Sequence, residues 1–200
     1  MNDIKIREGV KVTGKIKVDV FRAGYAQAVE PFLQQRRELH SQGIASLTLD
    51  PIIDAIKRAY FIRTAVECPN TVMDSPNYGI DLLIQWLSGV GPYASTVLPL
   101  SYIEIGTGST TPAVTDTALT TPTNRAAVGF QQDYGTTDAI VQAIFSDSQL
   151  ANGTYYEMGT FCGGTSSIGS GQMFNHALFG SPYMKSSGTD SSLSCDINVS

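Results

Sequence analysis

The sequence predicts a mainly β protein, an antiparallel β-sandwich with an inserted helical hairpin and one short additional helix. Residues 10–21 alternate apolar and polar side chains, as in a half-exposed strand. From residue 92 onward, six short apolar or alternating runs are separated by clusters of Gly, Pro, Ser, Asn, Asp and Thr. Between these two parts, over about 25–60, the apolar residues follow helical spacing instead.

The helical segment divides into two predicted helices. The first helix is predicted from a stripe of apolar residues at helical spacing, and Gly43 is expected to end it. Asp50 and Pro51 supply an N-cap and a proline at the first position of the second. A further short helix is predicted over 81–88, after two strands over 60–67 and 70–73.

The 200 residues, 42% of them hydrophobic, are enough to bury a sizeable core. We expect residues 1–91 to contain the N-terminal strands with the helical insertion, and residues 92–200 to form the antiparallel sandwich, in one composite structural unit. In the last strand the alternation predicts that four side chains face the core: Leu193, Cys195, Ile197 and Val199.

The charge of the chain is unevenly distributed. Residues 101–200 contain Arg125 and Lys185 as their only Lys or Arg residues, against eight carboxylates. This half is unsuited to nucleic acid, because affinity for phosphates depends on clustered Lys and Arg. The acidic surplus either keeps a β-rich protein soluble or faces a basic partner. The first residues are charged where a signal peptide would turn apolar, so a signal peptide is not expected. The sequence has no apolar run of the roughly 20 residues that a membrane span needs, so membrane insertion is not expected either.

The sequence predicts no catalytic, cofactor or metal site. Its glycine pairs do not complete a phosphate-binding motif. His40 and His176 are the only histidines, and three cysteines lack the spacing of a zinc site. His176 is interpreted as an ordinary strand residue. A disulfide between Cys68 and Cys162, or between subunits, is left open. We therefore do not expect an enzyme.

The stretch from Tyr102 to Leu119 joins a short strand to a long turn with few charges. Gly106 and Gly108 are predicted to adopt backbone conformations that other residues avoid, and Pro112 stops further strand pairing. Asp116 is expected to close the turn through hydrogen bonds to the backbone. The chain should therefore leave a sheet here and cross its surface as an ordered loop.

A calcium site is the alternative interpretation of the same turn. It would combine Asp116 with backbone carbonyls and with Asp133 or Asp138, since calcium takes oxygen ligands. The spacing of these residues matches no known calcium loop. The structural interpretation of Asp116 is therefore preferred.

This turn resembles a family of small tailed-bacteriophage virion proteins of the tail-associated or tail-collar type. The similarity extends to other segments and covers most of 9–24 and 60–200, with these segments carrying it: Gly14–Phe21, Cys68–Val72, Gly79–Leu87, Asn152–Gly159 and Met173–Phe179. It is lost between about 25 and 59. The resemblance implies a non-enzymatic structural protein of the virion, an oligomer in the tail, neck or baseplate that joins other virion proteins.

The helical insertion is the predicted contact with a virion partner, because it departs from the family pattern. The candidate interface residues are Phe32, Arg36, Arg37, Tyr93 and Tyr102. Replacing 25–60 by a short turn should then leave the sandwich folded. The alternative function is a receptor- or glycan-binding module of a tail fibre, for which the aromatic residues of the later strands could supply a binding groove.

Overall fold

The computed structural model of the chain describes residues 12–42, 48–74, 76, 78–88, 90–92, 99–133 and 138–199. These residues form two antiparallel sheets and three helices, which confirms the predicted fold class. The helices are α1 (Tyr25–Ser41), α2 (Asp50–Tyr60) and α3 (Ile80–Ser88). The strands are β1 (Val12–Arg22), β2 (Phe61–Pro69), β3 (Thr71–Val72), β4 (Leu100–Gly106), β5 (Pro122–Ala127), β6 (Phe130–Asp133), β7 (Asp138–Phe145), β8 (Gly153–Cys162), β9 (Gln172–Lys185) and β10 (Thr189–Val199).

Each sheet of the sandwich has five strands. Sheet A has the order β2-β1-β10-β7-β6, and sheet B has the order β3-β9-β8-β4-β5. The first and last strands are partners, since β1 pairs with β10 along its whole length, from Val12 opposite Val199 to Arg22 opposite Thr189. Strands from the first 91 residues therefore lie in the same sheets as strands from the remainder, and the two segments interleave in one sandwich.

The space between the sheets holds the main hydrophobic core. Alternate residues of β1, β4, β7 and β10 supply much of it, as the period of a strand requires. Leu193 and Cys195 are fully buried there, as predicted, and Ile197 packs at its edge. The side chain of Val199 lies outside the described part of the chain.

Helices α1 and α2 form a third layer against sheet A. They bury a second apolar cluster, whose fully or largely buried members are Phe21, Tyr25, Val29, Leu33, Leu49, Ile53 and Phe130. The rings of Phe21 and Tyr25 stack with centroids 3.9 Å apart. Because this cluster includes residues of β1 and β6, the helices cover apolar surface of the sheet. This packing argues against the expectation that 25–60 could be removed without loss of the sandwich.

The three cysteines are free thiols in the described structure. Cys68 lies on β2 of sheet A, whereas Cys162 lies on β8 of sheet B, and no bridge joins them. Burial raises the pKa of Cys162 and of Cys195 to about 12. Both thiols therefore stay protonated at neutral pH, and Sγ of Cys195 accepts hydrogen bonds from the side-chain amides of Asn175 at 2.9 Å and Asn70 at 3.3 Å.

Candidate functional site

The connection between β4 and β5, residues 107–121, crosses the outer face of sheet B and is named here the β4–β5 loop. Strand β4 ends at Gly106, as the turn prediction requires. Leu119 of the loop packs with Met73, Phe161 and Met173 in a small apolar cluster. The amide of Asp74 donates to the carbonyl oxygen of Val114 at 2.7 Å. The loop is therefore a packed layer on sheet B.

Glu157 of β8 binds the backbone at both ends of this loop. Its side chain is completely buried. Oε1 accepts hydrogen bonds from the amides of Gly108 at 3.0 Å and Thr121 at 2.7 Å, and Oε2 accepts one from Thr120 at 3.0 Å. One carboxylate therefore satisfies three amides and joins the start of the loop to its end.

His176 of β9 connects this carboxylate to the middle of the loop. Its Nε2 lies 2.9 Å from Oε2 of Glu157, and its Nδ1 lies 2.9 Å from Oδ2 of Asp116. Asp116 also accepts the amide of Ala113 at 2.9 Å, which is the backbone bond expected of a turn-closing aspartate. A histidine between two carboxylates donates from both nitrogens only when it is cationic. We call Glu157, His176 and Asp116 the loop clasp.

The surroundings of the clasp favour its charged form. Burial by itself raises the pKa of Glu157, but hydrogen bonds from His176, Thr121 and Thr120 outweigh it and lower that pKa. Burial likewise opposes the charge on His176, yet its bonds to Glu157 and Asp116 raise its pKa above the ordinary value. The ion pairs and the amide hydrogen bonds therefore stabilise each other.

The glycines of the turn are required for a reason other than the one predicted. Neither Gly106 nor Gly108 has a positive φ, so neither adopts a conformation restricted to glycine. Instead, a Cβ at Gly106 would lie 2.6 Å from Oε1 of Glu157, and a Cβ at Gly108 would lie 2.6 Å from the Cβ of Thr120. The absent side chains leave room for the loop to approach the Glu157 carboxylate.

A second buried ion pair holds the neighbouring β8–β9 loop, residues 163–171. The Arg125 guanidinium and Oε1 of Glu104 are 2.5 Å apart, and both side chains are almost fully buried. Arg125 also donates to the carbonyl oxygen of Ser170 at 2.6 Å, and Glu104 accepts the amide of Gly169 at 2.7 Å. The guanidinium lies 4.2 Å from the ring centroid of Tyr102. Tyr102, a predicted interface residue, therefore supports an internal arginine.

A third network joins the turns at the opposite end of the strands. The buried ammonium of Lys185 lies 2.5 Å from Oδ1 of Asp147, whose Oδ2 accepts the amide of Gly188. Buried Asp190 accepts the amides of Asp147 at 2.8 Å and Ala26 at 2.9 Å. Six carboxylates of the acidic half thus have partners within the chain: Glu104, Asp116, Asp138, Asp147, Glu157 and Asp190. Three of these carboxylates are buried, Glu104, Glu157 and Asp190, so part of the acidic surplus is internal, which weakens the hypothesis of an acidic face for a basic partner.

The remaining predicted interface residues do not form one exposed surface, although Arg36 and Arg37 line the same pocket. Arg36 is 5% exposed, lies 2.8 Å from Asp50 and places its guanidinium over the ring of Phe130, so it is an internal contact between layers. Arg37 is exposed and donates to the carbonyl oxygen of Gly129 at 2.7 Å. Phe32 packs against the helical cluster. Tyr93 lies outside the described residues.

The aromatic residues of the later strands do not form an open groove. Five of them are buried: Tyr155, Phe161, Phe174, Phe179 and Tyr183. Carbohydrate recognition usually needs exposed aromatic faces, and these rings instead fill the cores of the sandwich. The residues proposed for a glycan-binding groove therefore have a structural role in the described chain.

The charged clusters have no arrangement suited to a metal in the part of the chain that the structure describes. Asp116 is bound to His176 on sheet B, whereas Asp133 ends β6 and Asp138 begins β7, both in sheet A, so neither form of the alternative calcium grouping is assembled. Within the same residues, no helix is both long and apolar enough to cross a membrane. The buried charged clusters instead hold the connecting loops in place.

No family model matches the chain, and no curated protein or solved structure is similar to it at a significant level. Its function is therefore inferred from the resemblance of its own segments given above and from the geometry of these buried networks.

Proposed function

We propose that this chain is a non-enzymatic structural protein of a tailed-bacteriophage virion, present as a homo-oligomer in the tail, neck or baseplate, where it joins other virion proteins. The observation that carries the proposal is the loop clasp. The segment in which the family resemblance is concentrated is held in one conformation by Glu157, His176 and Asp116. An assembly component benefits from such a surface, because a loop that is already ordered loses little entropy on binding.

The state of the titratable groups supports a role without catalysis. His176 is 1% exposed, and each of its ring nitrogens faces a carboxylate oxygen at 2.9 Å. It therefore offers no nitrogen to a substrate as a general base. Glu157 and Glu104 are equally inaccessible, and both carboxylates accept backbone amides. These groups contribute to shape and stability.

The fold supports assembly in a second way. Helices α1 and α2 pack on part of the outer face of sheet A, and the β4–β5 loop packs on part of the outer face of sheet B, so the molecule has several layers with fixed connections. Pre-organised surfaces of this kind change little when they bind, which suits repeated packing of identical copies. A receptor- or glycan-binding role remains the alternative outcome of the experiment.

The test uses the phage or prophage that encodes the chain. Particles are purified on a density gradient and their proteins identified by mass spectrometry, and the gene is deleted and then restored in trans. We expect the chain to sediment with particles and its deletion to leave incomplete or detached tails. Absence of the chain from purified particles would refute the proposal. Complete particles that fail to adsorb to cells would favour the receptor-binding alternative instead.

A further inference from the structure

The middle of the β4–β5 loop lies on the surface and is held by few polar contacts. We call residues 109–118 the loop middle, and their side chains are exposed or half-buried. Among the described residues, two polar contacts join the loop middle to the rest of the protein. In one, the amide of exposed Asp74, just after β3, donates to the carbonyl oxygen of Val114. The other is the contact of His176 with Asp116, so this imidazole is a main support of the loop middle.

The two ends of the loop are held independently of His176. Oε1 of Glu157 accepts the amides of Gly108 and Thr121, and Oε2 accepts the amide of Thr120. These hydrogen bonds run from the carboxylate to the backbone without passing through the imidazole. A change in the charge of the imidazole therefore leaves the ends of the loop with their acceptor.

The charge of His176 is set by the other two members of the loop clasp, each 2.9 Å from a ring nitrogen. Opposite His176 on β3 lies uncharged Thr71, and Asp74 beyond that strand is exposed to water. Two strands away on the other side, Glu104 of β4 is the next charged residue in the same row, and it is paired with buried Arg125.

A neutral imidazole cannot satisfy both carboxylates of the clasp. It has one N–H group, so it donates to one carboxylate and turns a lone pair toward the other. Glu157 is completely buried, whereas the side chain of Asp116 is 30% exposed and reaches water. Because an unpaired charge costs more in a buried site, the remaining proton stays on Nε2 of His176, beside Glu157. Nδ1 and Oδ2 of Asp116 then repel each other.

We propose that loss of a proton from His176 releases the loop middle from sheet B, while Glu157 keeps both ends of the loop bound. Asp116 turns toward water in this step. Its Oδ2 also accepts the amide of Ala113, so the same movement opens the turn that the loop middle forms. The device goes beyond the proposed function and does not depend on it.

The direction of the pH dependence follows from the contacts of His176. Burial opposes its charge, but the hydrogen bonds to Glu157 and Asp116 outweigh burial and raise its pKa above the ordinary value of about 6.5. The loop middle is therefore bound at acidic pH and is released as the pH rises through the raised value. A partner that recognises the ordered loop would bind more weakly above this transition, because it must order the loop again.

The experiment follows two signals of the purified full chain over a pH series from about 5.5 to about 9.5. Imidazole NMR signals report the protonation of His176, and the His176→Gln variant identifies them. Hydrogen exchange, corrected for its own dependence on pH, reports opening at single amides. The amides of Ala113 and Asp74 report on the loop middle, since their acceptors are Asp116 and Val114.

We expect the protection of these two amides to fall about tenfold or more over the pH range in which His176 loses its proton. The amides of Gly108 and Thr121, which Glu157 binds, should keep their protection over the same range. Amides of the buried strand β10 serve as a reference for the stability of the whole protein.

Asp116→Asn tests the contact itself. Its side-chain oxygen still accepts the amide of Ala113, and its NH₂ group donates to Nδ1 of neutral His176. The loop middle of this variant should therefore stay protected across the pH series. Glu67→Gln is the matched control, because it removes the same charge from an exposed pair with Lys15 on sheet A. It should release the loop middle as the wild type does.

Several results would overturn the proposal. One is a loop middle that stays protected after His176 has become neutral, or a His176 that keeps its proton to the end of the series. Another is loss of protection at Gly108 and Thr121 together with the loop middle, since the whole loop would then open. A third is an Asp116→Asn protein that opens at the same pH as the wild type. None of these measurements involves a particle, so they leave the test of the proposed function separate.

Discussion

Nε2 of His176 and Oε2 of Glu157 lie 2.9 Å apart between neighbouring strands of sheet B, and both side chains are buried. This contact connects two halves of a network. Glu157 binds the ends of the β4–β5 loop, and His176 reaches Asp116 in its middle. The loop conformation therefore depends on one buried ion pair, and several measurable consequences follow from its chemistry.

Replacing Glu157 by alanine should destabilise the protein by about 3–5 kcal/mol, because it leaves His176 and three backbone amides without their acceptor in a buried site. Glu157→Gln should cost less, since its amide oxygen can still accept the amides of Gly108 and Thr121. Urea unfolding of the variants measures the difference.

The control for this comparison is Glu67→Ala. Glu67 is an exposed carboxylate 3.5 Å from the exposed ammonium of Lys15, and such surface pairs contribute about 0–1 kcal/mol. A Glu157→Ala protein as stable as Glu67→Ala would show that the clasp does not stabilise the fold.

The stability of the protein should fall as the pH rises above about 6.5. The pKa of His176 is raised in the folded chain, so its contribution is fully present below the unfolded value, about 6.5, and is lost as the pH passes through the folded value. The pKa of Glu157 is lowered, so its contribution is present above the unfolded value, about 4.5, and is lost as the pH falls through the folded one. The clasp therefore contributes most to the stability of the protein between the two unfolded values, from about pH 4.5 to about pH 6.5.

Melting temperatures measured across this range check the prediction. His176→Gln removes the titrating group and should flatten the decline on the alkaline side, whereas a histidine-independent decline would persist unchanged in that variant. An identical pH profile for wild type and His176→Gln would contradict the assignment of charge to the clasp.

The sequence was sufficient for most of the strands and for the main core, because their signal is local. Of the six runs predicted from residue 92 onward, one divides into β5 of sheet B and β6 of sheet A, a change of sheet that local alternation does not report. Alternation in residues 10–21 and 192–199 reports which face of a strand is buried, and Leu193 and Cys195 lie where it predicts. The helix over 80–88 was equally visible from its terminal glycines. Strands and helices of this kind follow from a repeat of two or 3.6 residues and from the turn residues at their ends. Both signals lie in residues that are close together in the sequence.

The clasp could not be predicted in the same way. Glu157 follows Tyr156 in an apolar strand, and Glu104 lies between Ile103 and Ile105, so alternation alone directs both carboxylates toward solvent. They are buried because the β4–β5 and β8–β9 loops cover the outer face of sheet B. This cover depends on contacts between residues that are far apart in the sequence, such as Gly108 and Glu157. The same cover buries His176, which the sequence alone predicts to be an ordinary strand residue. The two helices on sheet A are likewise predictable from their apolar spacing, but the second apolar cluster that they form with the sheet is not.

Gly108→Ala should destabilise the protein by about 1–3 kcal/mol through overpacking. The new Cβ would lie 2.6 Å from the Cβ of Thr120 and would also press on the Glu157 carboxylate, so the loop or the clasp must shift. Gly153→Ala is the matched control, because a Cβ there has no neighbour within 4 Å. Equal unfolding free energies for the two variants would show that close approach at Gly108 is not required.

The helical layer should prove necessary for folding of the sandwich. Leu33 of α1 is 1% exposed within the cluster that covers Phe21 and Phe130, so Leu33→Ala should cost about 2–5 kcal/mol. Ile52→Ala, at an exposed position of α2, should cost much less.

Replacing 25–60 by a short turn would expose Phe21 and Phe130 to water, and we expect that protein to aggregate or to bind a hydrophobic dye. Calorimetry should show helices and sheets of the intact chain unfolding in one transition, because they share this cluster. A soluble deletion protein with a cooperative melt would instead establish the helices as a separable appendage.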